Sequence, residues 1–227
     1  MSIPAFAPAD YLDLRGSDHA FLFDGVTHAW EVLPRLKPYF EKDFVPGQHG
    51  KLIGQPVIGE LVYIGKGTVI EPGVYIKGPA WIGPDCEIRH GAYIRENVVI
   101  GAGSTIGNST EIKNSFLSSG CQVPHYNYVG DSVLGTGVHL AAGVILSNLK
   151  LNGDLIVLRV GEATLPTGLR KFGALIGDKA EIGCNTVLNP GSIVGRNSLI
   201  YPGVVWRGIL PANSIAKAAN QIRSRQS

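Results

Sequence analysis

Isoleucine recurs every six residues through the middle of the chain, at Ile58, Ile64, Ile70, Ile76, Ile82, Ile88, Ile94, Ile100, Ile106 and Ile112. An amphipathic helix repeats its apolar face every three or four residues, and a half-buried strand alternates every second one. Neither period fits. A small residue follows each of the first nine isoleucines four positions later: Val62, Thr68, Val74, Ala80, Cys86, Ala92, Val98, Ser104 and Thr110. Gly67, Gly73, Asp85, Gly91, Asn97 and Gly103 stand in between, residue types that enter turns at least cost in φ. A fixed six-residue register of this kind predicts an all-β solenoid, a parallel β-helix of hexapeptide repeats.

Each hexapeptide supplies one short strand and one turn, and three close a triangular coil. The β-branched isoleucine suits both the strand and the stacking of identical side chains inside the prism. Only a small residue fits the tight corner. Leu117, Val123 and Val129 continue the spacing, as do Leu134, Leu140 and Leu146 after a one-residue slip, then Ile176, Ile182, Leu188, Val194 and Ile200 after an interruption. These positions predict about five coils over residues 55–148 and nearly two more over 173–206. Residues 149–172 break the pattern and must leave the prism as a loop, read as a short hairpin pairing 155–160 with 163–165 and projecting from one edge.

Residues 1–54 lack the repeat and are expected to form a helical cap over the open first coil. Within them, 9–14 suggests a helical turn. Residues 27–44 suggest an amphipathic helix with Trp30, Leu33, Leu36 and Phe40 on one side, shortened or kinked by Pro34 and Pro38. The prism is placed at 55–208, and the tail 209–227 is expected to carry a helix over 212–223.

A net charge of +2 over 227 residues gives no reason to expect nucleic acid or a membrane surface. The chain has no eighteen-residue apolar stretch and no charged-then-apolar leader, so a cytoplasmic location is expected. Cys86, Cys121 and Cys184 are scattered, without zinc spacing or a CxxC motif, and no metal is expected.

The ladder stumbles in one place, Glu111-Ile-Lys-Asn114 followed by Val123-Pro-His-Tyr-Asn-Tyr-Val-Gly-Asp131, with Ser118 where an apolar residue is expected. This stretch, with VHLAAGVILSNLKLNG and LRKFGALIGDKAEIGCNTVLNPG after it, resembles the acetyltransferase domain of the bifunctional enzymes that make UDP-N-acetylglucosamine. The likeness covers about residues 55–217. It implies a left-handed winding, although parallel crossovers are ordinarily right-handed. It also implies acetyl-CoA as acyl donor, an amino-sugar phosphate such as glucosamine 1-phosphate as acceptor, and a homotrimer with sites between subunits.

Position by position, the resemblance implies His125 as general base and Asn148 as a group beside the reacting atoms. Arg95, Lys113 and Tyr128 match the binders of the sugar phosphate, and Lys171 the lysine that reaches the site from a neighbouring subunit. Ala142, Cys184 and Lys217 match the coenzyme A groove. The chemistry is coherent: an imidazole near neutrality can deprotonate a sugar ammonium, and a guanidinium with an ammonium neutralises a phosphate.

The chain departs from the family around these positions. His139 replaces an asparagine, Pro124-His-Tyr-Asn-Tyr128 replaces Gly-His-Leu-Thr-Tyr, and Asn148-Leu149-Lys150 opens an insertion. The acceptor's identity therefore stays open. The residues of the uridylyltransferase half are absent here, so nucleotidyl transfer is not expected of them. Two other classes remain: a non-catalytic sugar-phosphate or nucleotide-sugar binding protein, and a metal hydratase on this fold, which would need His90, His125 and His139 to converge.

Overall fold

The computed structural model describes residues 6–218 and 221–224. The hexapeptides build three parallel sheets, the faces of one prism. The first face has nine strands, from Gly47–Gln48 to Ile209–Leu210, and the third has eight, from Val57–Ile58 to Val205–Trp206. The second runs from Lys51–Leu52 to Ser214–Ala218, with Gln221–Ser224 added antiparallel at its end. This is the left-handed parallel β-helix that the sequence leads one to expect.

Every sixth-position side chain points inward and stacks on its equivalent one coil away. On the first face the column runs Ile64, Ile82, Ile100, Leu117, Leu134, Ile176, Val194 and Leu210. All of these are buried, as are the small corner residues Cys86, Ala92, Ser104 and Thr110. Close packing of this kind leaves no room to trade volume between positions.

The stumble at residue 118 is not a break in the apolar register, because Leu117 holds the ladder position. Ser118 instead occupies a column that is glycine in the neighbouring coils, at Gly83, Gly101, Gly135, Gly177 and Gly195. There the backbone of the next coil presses close: a Cβ on Gly101 would lie 2.5 Å from the Ser119 nitrogen. Ser118 is buried, and its Oγ has no hydrogen-bond partner.

Four expectations change. The prism begins at Gly47, because Gly47–Gln48 and Lys51–Leu52 pair with Val62–Ile64 and Val69–Ile70. At 212–223 the chain forms strands Ser214–Ala218 and Gln221–Ser224 instead of a helix, with residues 219–220 outside the described ones. Ala216 stacks beside Ile200 as one more ladder residue, and the unpaired edge of the last coil supplies the partners that a helix would forgo.

The N-terminal segment does not cap the first coil, whose Leu52 and Ile58 stay partly exposed. It lies along the outside of the first face. That face carries an outward apolar column, Trp81, Val99, Phe116, Val133, Leu175 and Ile193, in register coil after coil. Helix Leu33–Lys42 and the 3-10 turn Ala29–Val32 bury Trp30, Leu33, Leu36 and Phe40 against it, with Phe23 edge-on to Phe116 at 4.9 Å. The insertion joins the same second core. Its hairpin, Val157–Val160 against Ala163–Pro166, buries Ile156, Leu158 and Phe172, and Phe172 lies 5.5 Å from Trp30. The hairpin is packed down rather than projecting.

Candidate active site

The third face gathers the polar residues singled out in the sequence. Tyr93, Glu111 and Tyr128 are register neighbours on successive strands, and Arg95 and Lys113 follow the buried Ile94 and Ile112. Alternation along each strand therefore turns all of them outward on one face. Arg95 Nη1 donates to Glu111 Oε1 at 2.8 Å, and that hydrogen bond is the main reason the guanidinium holds its proton more tightly than usual. Lys113 Nζ lies 3.3 Å from Asp131 Oδ2, with both side chains largely buried.

Asp131 organises this cluster. Its carboxylate accepts from Lys113, from Asn114 Nδ2 at 2.8 Å and from Asn148 Nδ2. Asn148 also approaches the Tyr128 hydroxyl at 3.3 Å. The tyrosine folds back over Gly130, where a Cβ would meet its Oη at 2.6 Å. Burial first, then the Glu111 and Asp131 carboxylates, raise the Tyr128 phenol above its ordinary value, so it is a neutral donor near pH 7. The structure thus unites Arg95, Lys113, Tyr128 and Asn148, and adds Glu111, Asn114 and Asp131. Asp131 stood inside the run quoted for the resemblance, but nothing in the spacing marked it as the hub.

His125 stands at the corner where the second face turns into the third, exposed to solvent, between Gln122–His125 and Tyr128–Gly130. A backbone ladder puts Ala142 and Cys184 above it in the same column. Gly143 N donates to His125 O at 3.0 Å, Asn185 N to Ala142 O at 2.9 Å, and Gly203 N to Cys184 O at 2.8 Å. A cavity of about 350 Å³ opens beside this column on the second face, lined by His139, Ala141, Glu181, Cys184, Leu199 and Tyr201. Ala142 is next to it without lining it. Lys217 Nζ lies 5.2 Å from the centre of the Tyr201 ring, which ties the third donor position to the same cavity.

Asn127 was not anticipated. It fills the inner corner position that Ala92, Thr110 and Val144 occupy in the neighbouring coils, and it is buried. Its Oδ1 accepts the His125 N–H at 3.1 Å, and its Nδ2 donates to Ala141 O at 2.7 Å.

Lys171 sits opposite Leu149 in an antiparallel bridge at the root of the insertion, one residue from Asn148, and is exposed. No group of three or more metal-ligating side chains occurs among the described residues, and His90 Nδ1 pairs with Pro72 O at 2.7 Å. No helix among those residues is long and apolar enough to cross a membrane.

Residues 76–161 match the family model of the GMPPB C-terminal domain. Bifunctional protein GlmU of Methanococcus vannielii is 35% identical over 184 residues, covering 78% of this chain and 42% of that protein. The chain thus spans about two fifths of the bifunctional relatives it matches. The uncharacterized acetyltransferase YaiX of Escherichia coli is 30% identical over 210 residues, covering 88% of this chain and 91% of that protein. The solved Arabidopsis UDP-N-acetylglucosamine acyltransferase aligns at a TM-score of 0.44 and 13% identity, over 79% of this chain and 74% of that one. With a relative matched over nearly its whole length, the chain belongs to the hexapeptide-repeat acetyltransferase family.

Proposed function

We propose that this protein transfers an acetyl group from acetyl-CoA to the amine of an amino-sugar phosphate such as glucosamine 1-phosphate, toward nucleotide-sugar or cell-envelope precursors. One observation carries the reading: His125 stands at the corner between the Arg95–Lys113–Tyr128–Asn148 cluster and the cavity beside Cys184. A base there reaches an acceptor held on one face and a donor held on the other.

Arg95, Lys113 and the Tyr128 hydroxyl hold the sugar phosphate. His125 takes a proton from the sugar ammonium, and the freed amine attacks the thioester carbonyl. Charge building on the carbonyl oxygen is met by a backbone N–H of the corner column. Collapse forms the amide C–N bond and breaks the C–S bond. The coenzyme thiolate leaves with the proton that His125 carried. Ala142 and Cys184 flank the pantetheine, and Lys217 meets a coenzyme phosphate.

The working unit is a homotrimer in which Lys171 of one subunit approaches the cluster of the next, and its setting is the cytoplasm. Thiol release over a panel of amino-sugar phosphates tests the reading. It expects acetyl-CoA turnover with at least one acceptor and a loss of roughly 10²–10⁴-fold in His125→Ala. Tight ligand binding with no thiol released from any acceptor would leave a binding protein on the same site.

A further inference from the structure

At the corner where the second face turns into the third, successive coils place one residue each in the left-handed backbone region: Gly73, Gly91, Ser109, Tyr126, Gly143, Asn185 and Gly203. Six of these are glycine, serine or asparagine. The seventh is a tyrosine, with φ at 52°. Glycine and asparagine enter this region at little cost, and an aromatic side chain does not.

The fold gains nothing visible in return. Tyr126 is 62% exposed, and among the described residues its hydroxyl has no hydrogen bond and its ring no aromatic partner. One coil away on either side stand Gly143, which has no side chain, and Ser109, whose Oγ is turned to Asn108 Oδ1 at 2.6 Å. The inward corner position belongs to the next residue, the buried Asn127. The main chain beneath the ring is nonetheless held firmly. Tyr126 N donates to Asn108 O at 2.8 Å, and the preceding His125 N–H is taken by Asn127 Oδ1 at 3.1 Å. A strained, exposed and unpartnered aromatic on a fixed root calls for a partner outside the chain.

We infer that Tyr126 is a specificity-determining residue for the acceptor, its ring serving as a platform for the face of a sugar; this rests on the acetyl-transfer reading above. Tyr126 follows His125 directly and comes two residues before Tyr128 on the third face. His125 acts on the amine and the Arg95 cluster holds the phosphate, so what lies between those two groups of an amino-sugar phosphate is the sugar ring. A pyranose presents a face of C–H groups that suits the negative face of a phenol ring. The platform therefore favours a cyclic acceptor over an open-chain amine phosphate, which has the same charged ends and no such face.

The test compares the parent with Tyr126→Asn and Tyr126→Phe. Calorimetry measures binding of glucose 1-phosphate, which lacks the amine and cannot react, and of coenzyme A. Tyr126→Asn should melt at or above the parent, because asparagine tolerates the left-handed backbone. It should nevertheless bind glucose 1-phosphate roughly tenfold more weakly, with coenzyme A affinity unchanged. Tyr126→Phe keeps the ring and should bind both as the parent does. Thiol release from glucosamine 1-phosphate relative to phosphoethanolamine should fall in Tyr126→Asn and hold in Tyr126→Phe. If no acceptor releases thiol but the difference in glucose 1-phosphate binding persists, the catalytic reading fails and the platform stands. Equal glucose 1-phosphate affinity in parent and Tyr126→Asn, no binding of it by the parent, or a loss of coenzyme A affinity in its place would overturn the inference.

Discussion

The Asn127 carboxamide grips His125 by its main chain, with Oδ1 accepting the His125 N–H at 3.1 Å while Nδ2 donates to Ala141 O at 2.7 Å. One buried side chain thus fixes both the residue proposed as base and the wall of the neighbouring cavity. Asn127→Val keeps much of the volume and leaves both backbone groups without that partner, at about 1–3 kcal/mol per buried orphan. A displacement of the imidazole on the order of 1 Å should lower kcat by up to roughly 10²-fold. Steady-state kinetics should therefore show kcat falling more than the KM values rise, in protein that still melts cooperatively. Unchanged kcat would mean that His125 needs no such support.

Asp131 receives three side chains, and removing its charge should be felt first by the acceptor. In Asp131→Ala, Lys113 and Asn148 lose a common anchor while Tyr128 loses its ordered neighbour. The acceptor KM should rise with the acetyl-CoA KM little changed, and the melting temperature should fall because the largely buried Lys113 is left unpaired. A rise in the acetyl-CoA KM alone would assign the cluster to the donor.

The first-face glycine column and its serine make a matched pair. Gly101→Ala should destabilise the protein, because the new methyl meets the Ser119 backbone nitrogen at 2.5 Å and backbone cannot step aside. Ser118→Ala should do the reverse and raise stability by about 1–3 kcal/mol, since it deletes a buried hydroxyl with no partner. Urea midpoints moving in the same direction for both would contradict the packing described.

Ile94→Ala should cost about 2–5 kcal/mol, the usual range where a fully buried aliphatic cannot be replaced by collapse. Ala92→Phe at the adjacent corner should overpack and cost at least as much as ordinary overpacking does, about 1–3 kcal/mol. Both belong to one ladder, so chemical denaturation should stay cooperative while its midpoint drops.

His19 links the N-terminal segment to the first face, with Nε2 2.9 Å from the Tyr39 hydroxyl and its ring edge-on to Trp81 at 4.4 Å. Burial lowers its pKa to about 4, only partly opposed by Asp18. The folded state therefore binds this proton less readily than the unfolded state does. The stability it contributes is complete above the unfolded value near 6.5 and is lost as pH falls toward 4. Urea midpoints should decline over that window. His19→Phe should flatten the decline, and an identical decline in the variant would show that other groups cause it.

The prism was legible because its period is unlike that of any other element. One inward residue in six is set by stacking, with little help from long-range context. What escaped notice was the outward column Trp81, Val99, Phe116, Val133, Leu175 and Ile193, which repeats only once per coil. Reading it would have moved residues 6–44 from the open end to the side. The tail failed for a different reason. The alanines around 212–220 favour a helix locally, and an unpaired sheet edge overrides that propensity. At the site, residue types and order pointed to Arg95, Lys113, Tyr128 and Asn148. The partners Asp131 and Asn127 emerge only when coils stack, because each bonds to residues 14–18 positions away that no single repeat contains.

The insertion is invisible to the ladder that carries it. Val99 to Phe116 spans 17 positions and Val133 to Leu175 spans 42, yet both pairs are register neighbours on the first face. The strand holding Ile145 likewise meets the strand holding Val187 without a shift. Residues 150–170 can therefore change in length without shifting the register of any coil, so long as Ile156 and Leu158 keep their places in the second core. Such changes reach Asn148, Asp131 and Lys171 first. One opening in an otherwise uniform prism thus lets the surroundings of the site vary while the inner ladder stays in step, with the second core as the only part of the packing that feels the change.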